Sequence, residues 1–290
     1  MLTVVAGCAF LLAVLCAAAA GAMLTSPFED DVARRYASVH GAAECVVEGR
    51  ILGGIVPHHE LALDMIARFY ERIASDRIRR VWLLSPDHFQ RARRYVAVCD
   101  GDWRTAGRIL RADAAAKRGL PGLSVAEADA PLFAGEHGIT IHIPFIARCF
   151  PNATIVPMVL HADTPDAALL LLKQYMAGEM GPDDLILLSM DLSHYKTPEG
   201  MAAEDRHTLA VLTDIAPLRT GRLDVDARRA ATLVLHLFRE LGAEKGVLLE
   251  RMDSSDILGR RVECGTSYAT VLYGTAKTGD GDADTPPGKK

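Results

Sequence analysis

The chain has 290 residues, of which 50% are hydrophobic and only 6% are aromatic. This length exceeds that of a typical single domain but fits one large α/β domain with an aliphatic core. The formal net charge of -5 argues against the basic surface that nucleic-acid binding requires, so we expect no nucleic-acid partner.

The N-terminus is uncharged over its first 28 residues, and residues 4–24 are almost wholly apolar. Small residues between Ala18 and Ala22 are typical of a signal-peptide cleavage site, although no Lys or Arg precedes the apolar stretch. The run is also just long enough, at roughly 20 residues, to span a bilayer. We therefore expect residues 1–24 to be a signal peptide or a membrane anchor. The protein is then exported (periplasmic or extracellular) or tethered to a membrane, rather than cytoplasmic.

The predicted elements begin after a connector over residues 29–46. A buried strand starts at Ile51, and apolar residues at three- and four-residue spacing between Leu61 and Ile73 predict a helix. Thr164 and Pro165 should open another helix as its N-cap and first residue. Further strands are predicted near residues 81–86, 95–99, 154–160 and 185–189.

The C-terminal part should contain two amphipathic helices at roughly 201–215 and 227–242, and closing strands at 246–250 and 267–273. Residues 100–130 show no clear pattern, and the tail 275–290 has a disordered composition. Strands that alternate with helices predict a layered α/β fold, with a mainly parallel central sheet flanked by helices. We expect one domain over residues 45–274.

Three apolar runs are each followed within a few residues by a histidine: His58, His88 and His194. Ligands in open α/β sheets bind beyond the carboxyl ends of the strands. Neutral imidazole is the commonest metal ligand in proteins, so three histidines at one sheet edge predict a metal site.

Two other groups add candidates. Asp191 lies three residues before His194 and could orient a ligating imidazole, or it could be a turn or helix-capping residue. His137 and His142 are five residues apart, a separation of about 140° on a helix. One regular helix could not aim both at one ion, so either the segment is a loop or only one of them faces the site.

Four short motifs occur together, and they carry a family resemblance: Pro57-His58, Ser85-Pro-Asp-His88, Glu136-His137-Gly-Ile-Thr-Ile-His142-Ile-Pro144 and Ser189-Met-Asp-Leu-Ser-His194. The chain resembles the Memo family, whose bacterial and archaeal members are called AmmeMemoRadiSam system protein B. The resemblance runs from about residue 49 to residue 274, and Gly265-Thr-Ser-Tyr-Ala269 resembles the family's final strand.

The resemblance implies a fold similar to class III extradiol dioxygenases, which are non-haem iron enzymes, with a metal pocket at the sheet edge. His58, His88 and His194 match the family's pocket histidines. The family places a cysteine where this chain has Asp226. If Asp226 is a ligand, its harder carboxylate shifts the preference from Cu(I) toward Fe(II), Mn(II) or Zn(II). Alternatively, Asp226 only caps its helix.

The expected function is therefore metal binding by His58, His88, His194 and Asp226, with redox or oxygenase-type chemistry on an unknown small molecule. We favour Fe(II), with Zn(II), Mn(II) or Cu as alternatives. His137 or His142 would move protons, and Asp191 would orient a ligating imidazole. Two alternatives stay open: a non-enzymatic metal carrier or peptide-binding module on the same fold, and a metal-dependent hydrolase with Glu136 as its base.

Overall fold

The computed structural model describes residues 22–38, 47 and 49–276. Residues 1–21 of the expected signal peptide or anchor lie outside the described residues. The same is true of residues 277–290 of the expected tail. None of the helices within the described ranges is long and apolar enough to cross a membrane.

Twelve strands and nine α-helices are assigned in the described residues, together with short 3-10 and π-helical turns. The strands are β1 Met23–Thr25, β2 Ile51–Val56, β3 Arg80–Pro86, β4 Val96–Val98, β5 Asp102–Arg104, β6 Ile109–Leu110, β7 Ala126–Ala128, β8 Thr154–Leu160, β9 Asp184–Ser189, β10 His194–Lys196, β11 Ala243–Asp253 and β12 Gly265–Thr275. The helices are α1 Glu29–Ser38, α2 Leu63–Ile73, α3 Ala130–Phe133, α4 His137–Thr140, α5 Ile143–Cys149, α6 Asp166–Glu179, α7 Pro198–Thr213, α8 Arg228–Glu240 and α9 Ser254–Leu258.

The large sheet has the strand order β10-β12-β2-β9-β3-β8-β4-β7, and β11 pairs with β12. Its four central strands, β2, β9, β3 and β8, are parallel. On both sides of this centre the pairing changes, because β12 is antiparallel to β2 and β4 is antiparallel to β8. The expectation of an α/β fold with a large sheet flanked by helices is confirmed. The sheet as a whole is mixed: its four central strands are parallel, and the edge pair β4 and β7 is parallel as well.

The central strands are continuous apolar runs, because helices cover both faces of the sheet and residues of both orientations are buried. Trp82 and Leu84 of β3 pack into a cluster with α6 and α8, whereas Val81 and Leu83 pack into a second cluster with α2 and α5. Alternate residues of one strand therefore face two different layers. At Gly53 a Cβ would lie 1.8 Å from the Ile186 carbonyl oxygen, so this glycine permits the close approach of β9.

The segment expected to be a connector is partly helical. Helix α1 occupies Glu29–Ser38 and packs near α2 and α5. It follows strand β1, which pairs in parallel with β5 in a separate three-stranded sheet with β6. Leu24 and Val32 are buried, so residues 22–38 are part of the folded unit, which begins before residue 45.

Helix α6 begins differently from the prediction. Pro165 is its N-cap and makes no side-chain capping bond. The Thr164 hydroxyl instead donates to the carbonyl oxygens of Tyr95 and His161. A tertiary contact with the segment before β4 therefore replaces the expected local cap.

Candidate metal centre

The site forms where three neighbouring parallel strands end. His58 follows β2 by two residues, Asp191 follows β9 by two residues, and His88 follows β3 by two residues. Because β9 lies between β2 and β3, the segments after these strands meet at one edge of the sheet. Asp226, just before α8, reaches the same place.

Three ligating atoms lie close together there. His58 Nε2 is 3.1 Å from His88 Nε2 and 3.0 Å from Asp226 Oδ2, and His88 Nε2 is 3.8 Å from that oxygen. Among the residues that the structure describes, two groups have ligand atoms within 4.8 Å of one another: His58, His88 and His137, and His58, Asp191 and Asp226. Both groups contain His58, and either could hold a metal ion.

Hydrogen bonds fix the two central imidazoles with Nε2 toward the cluster. His88 Nδ1 donates to Glu136 Oε1 at 2.6 Å, and the His88 backbone N–H donates to Glu136 Oε2. His58 Nδ1 is hydrogen bonded to Ser189 Oγ at 2.8 Å. Partners of this kind hold metal-ligating histidines in the required tautomer and orientation. The donor set and its supports therefore fit a divalent metal ion.

The two aspartates occupy different positions. Asp191 is buried, and its Oδ1 accepts the His58 backbone N–H, while its Oδ2 lies 3.8 Å from His58 Nε2. The Asp226 carboxylate accepts the Asp191 backbone N–H. Helix α8 has Ala227 as its N-cap and no side-chain cap, so Asp226 does not cap it. Asp191 thus supports His58, and Asp226 faces both histidines.

Charges in the metal-free cluster stabilise one another. Burial alone would lower the pKa of His88, but hydrogen bonds to Asp226 and Glu136 raise it to about 9. Burial would likewise lower the pKa of His58, which Asp191 and Asp226 raise. Burial favours a higher pKa for Asp226, but the adjacent His58 and His88 hold it well below its usual range. The carboxylates thus favour protonated imidazoles in the absence of metal, and a metal ion could replace these protons.

His137 and His142 separate as the five-residue spacing suggested. His137 begins α4, is 42% exposed, and its ring centroid lies 4.0 Å from that of His88. Burial and the positive charges of His88 and His58 lower the pKa of His137 to about 4. His142 is fully buried beside Tyr70, outside both ligand groups, and burial lowers its pKa well below the usual value.

His194 belongs to neither ligand group. It begins β10, which pairs with β12 on the far side of β2, and its Nδ1 donates to the Leu192 carbonyl oxygen at 2.8 Å. Burial raises the pKa of Asp191, and electrostatic interactions with His58 and His194 oppose this increase. The structure thus joins His58 and His88 directly and leaves His194 outside the two ligand groups.

Two residues support the site in a role that the sequence analysis did not predict for them. Glu136 is fully buried and binds His88, and Ser189 is fully buried and binds His58. Each has a signal in the sequence. Glu136 directly precedes His137, and Ser189 ends the strand that leads to Asp191.

The fold and the site together define an α/β protein with a histidine- and carboxylate-lined candidate metal site at the edge of its central sheet. A model of the Memo-like protein family matches residues 38–272. The chain therefore belongs to the Memo-like family, as the resemblance predicted.

Relatives agree with this assignment. A MEMO1 family protein of Pyrobaculum arsenaticum is 24% identical over 238 residues, which cover 77% of this chain and 84% of the relative. A MEMO1 family protein of Ignicoccus hospitalis is 26% identical over 181 residues, which cover 59% of this chain and 63% of the relative. The chain thus spans less than two thirds of the Ignicoccus protein.

The fold has a counterpart among solved structures. The crystal structure of the uncharacterized protein JW3007 from Escherichia coli K12 matches with a TM-score of 0.51 at 13% identity, covering 77% of this chain and 99% of that chain. At this identity, the similarity shows a shared fold alone.

Proposed function

We propose that this protein binds one divalent metal ion through His58, His88 and Asp226 and carries out redox or oxygenase-type chemistry on a small molecule. The observation that carries the proposal is the position of Asp226 Oδ2, 3.0 Å from His58 Nε2, while the two Nε2 atoms are 3.1 Å apart. Two imidazoles and one carboxylate form the ligand set typical of non-haem Fe(II) oxygenases, so we favour iron. A fold of the class III extradiol dioxygenase type is part of this proposal.

When bound, the ion supplies Lewis-acid and redox chemistry at coordination positions that the protein leaves open. The protein's own residues orient the ligating histidines and transfer protons to and from the substrate. Glu136 and Ser189 hold the ligating histidines in place. His137 is neutral near pH 7 and partly exposed, so it accepts or returns a proton on the substrate. His142 is buried away from solvent, so we assign this proton transfer to His137.

The hydrolase alternative depends on Glu136 as a general base. Both Glu136 oxygens accept hydrogen bonds from His88, and the side chain is fully buried. A carboxylate held in this way orients a ligand and has no free oxygen toward a substrate. The geometry therefore favours the oxygenase-type proposal over hydrolysis.

Metal analysis tests the proposal directly. Protein purified without a chelator should contain about one ion per chain, and calorimetric titration with Fe(II) under anaerobic conditions should show one site. His88→Ala should abolish this binding, whereas His236→Ala on the outer part of α8 should leave it intact. Equal metal affinity in the two variants would contradict the proposed site. Stoichiometric binding without oxygen consumption on any small-molecule substrate would favour the metal-carrier alternative.

A further inference from the structure

A cavity of about 410 Å³ opens directly onto the candidate metal centre. His88 and Asp226 line it, and so do the segments that follow β3 and β8 and the first turn of α8. A volume in this range suits a small organic molecule. This cavity is therefore the approach to the metal centre, and its charges define what it accepts.

The carboxylates that line the cavity are already engaged. Asp87 accepts the backbone N–H groups of Arg91 and Ala92. Asp226 faces His58 and His88. The highly exposed Asp163 lies 3.8 Å from His161 Nδ1. Each of these carboxylates therefore already has a polar partner within the protein, and the same cavity wall also contains two arginines.

The two arginines in the cavity wall differ. Arg229 binds Asp166 at 2.5 Å. Arg228 is exposed, lines the cavity, and makes no side-chain hydrogen bond or ion pair with any residue in ranges 22–38, 47 and 49–276. One guanidinium is thus left without a partner anion on the path to the metal centre.

We propose that the substrate is a small organic acid whose carboxylate binds Arg228 while the rest of the molecule reaches the metal centre. This inference rests on the proposed function, because the same cavity serves both. The planar guanidinium fork matches a carboxylate with two parallel hydrogen bonds. The uncapped first turn of α8 adds a smaller attraction for negative charge.

A carboxylate fits better than a phosphate group. A phosphate group carries up to two negative charges and presents three acceptor oxygens, which call for several cationic donors. Here Asp166 already binds Arg229, so Arg228 is the one guanidinium in the cavity wall that is not paired within the described residues. A single negative charge is therefore the better match.

Benzoate and its neutral counterpart benzamide test this inference. We expect benzoate to bind to metal-free and Zn(II)-loaded protein, and Arg228→Gln to weaken it by about fivefold or more, as for a partly solvated charged hydrogen bond. Binding of benzamide should be weaker and insensitive to this change. Arg239→Gln, at the other end of the same helix, removes the same charge and should change neither.

Several results would overturn the inference: no benzoate binding up to its solubility limit, equal affinity for benzamide, an unchanged benzoate affinity in Arg228→Gln, or tighter binding of phenyl phosphate than of benzoate. Arg228 is exposed, so its replacement should not prevent folding, and a thermal melt checks this. A Zn(II) titration keeps the two proposals distinct. If no metal binds, the proposed function fails, and the benzoate comparison in metal-free protein still decides the role of Arg228.

Discussion

At the scale of single residues, Asp226 determines whether the cluster is a metal site or an internal ion-pair network. Its carboxylate faces His58 and His88. Asp226→Ala should therefore weaken metal binding by more than about tenfold, roughly 1.4 kcal/mol. Asp226→Cys should retain binding and shift the preference toward softer ions. Calorimetric titration with Zn(II) and Cu(I) measures both changes.

Asp224→Asn is the matched control, because Asp224 is two residues away and pairs with Lys196 instead. It should leave the metal affinity unchanged. An unchanged affinity in Asp226→Ala would mean that histidines bind the ion without this carboxylate.

Glu136 accepts the hydrogen bond from Nδ1 of His88, whose Nε2 faces the cluster. Replacing Glu136 should therefore change the metal affinity indirectly, through the orientation of His88. Glu136→Gln should weaken metal binding by about 10–100-fold, the usual effect of losing such a partner. In metal-free protein the pKa of His88, now about 9, should fall, because Glu136 is among the groups that raise it. NMR titration of the histidine ring protons measures the pKa. Glu127→Gln, which removes a surface partner of Arg93, serves as control, and an unchanged His88 pKa would contradict the assigned role.

Sequence alone could identify some of these residues and not others. His58 and His88 were predictable because each follows a buried strand of a parallel sheet. The carboxyl ends of such strands meet at one edge of the sheet. Asp226 was ambiguous, because a carboxylate before a helix is equally typical of a cap. Only the tertiary position of the β9–β10 segment, which offers the Asp191 N–H, decides between them. The place of His194 depended on which strand β10 joins, and the sequence does not specify this.

At the scale of elements, α4 depends on the absence of a side chain at Gly138. A Cβ there would lie 2.1 Å from Ser85 Oγ and 3.1 Å from His88 Cε1. Gly138→Ala should therefore push α4 away from β3, lowering stability by about 1–3 kcal/mol and weakening metal binding. Chemical denaturation and metal titration test the two effects.

Gly178 in α6 provides the opposite case, since a Cβ there would meet nothing within 4 Å. Gly178→Ala should stabilise the protein by up to about 1 kcal/mol, because alanine favours the helix. If both variants gave the same change in stability, the steric argument for Gly138 would be wrong.

Element prediction succeeded where local pattern and burial agree. The central strands are continuous apolar runs, and α2 and α8 have clear apolar faces, so their positions matched the sequence closely. The small sheet of β1, β5 and β6 was missed because its strands have only two or three residues. Short strands of this kind are fixed by long-range pairing, here between Leu24 and Trp103, and not by local pattern.

At the scale of the whole molecule, the location of the protein stays a prediction. The apolar residues before about Met23 should be removed on export or should anchor the chain in a membrane. N-terminal sequencing of protein from the native host, with separate analysis of membrane and soluble fractions, distinguishes the two. An intact N-terminus on protein found entirely in the cytoplasm would contradict both.

The metal centre joins parts of the chain that are distant in sequence, so metal binding should stabilise the whole fold. Its residues follow β2 and β3 and precede α8. An ion that binds only the folded state at about 100 times its Kd adds about 2.7 kcal/mol. For a domain of this size, that corresponds to an increase in Tm of roughly 5–10 °C, which a chelator should reverse.

This stabilisation should depend on pH in a definite direction. The pKa of His88 rises from 6.5 to about 9 on folding, because bonds to Asp226 and Glu136 outweigh its burial. In metal-free protein, protonated His88 therefore contributes its full stability below pH 6.5 and loses it as the pH rises toward 9. The metal binds the neutral imidazole, so its affinity increases over the same interval.

These two changes are linked by the same proton, so the difference in Tm between metal-loaded and metal-free protein should widen as the pH rises from 6.5 to 9. Thermal melts with Zn(II) and with a chelator, measured at several pH values, should show this increase. His88→Gln, which cannot take up the proton, should show a small difference that no longer grows with pH. A wild-type difference that stays constant over the interval would mean that proton release from His88 is not coupled to metal binding.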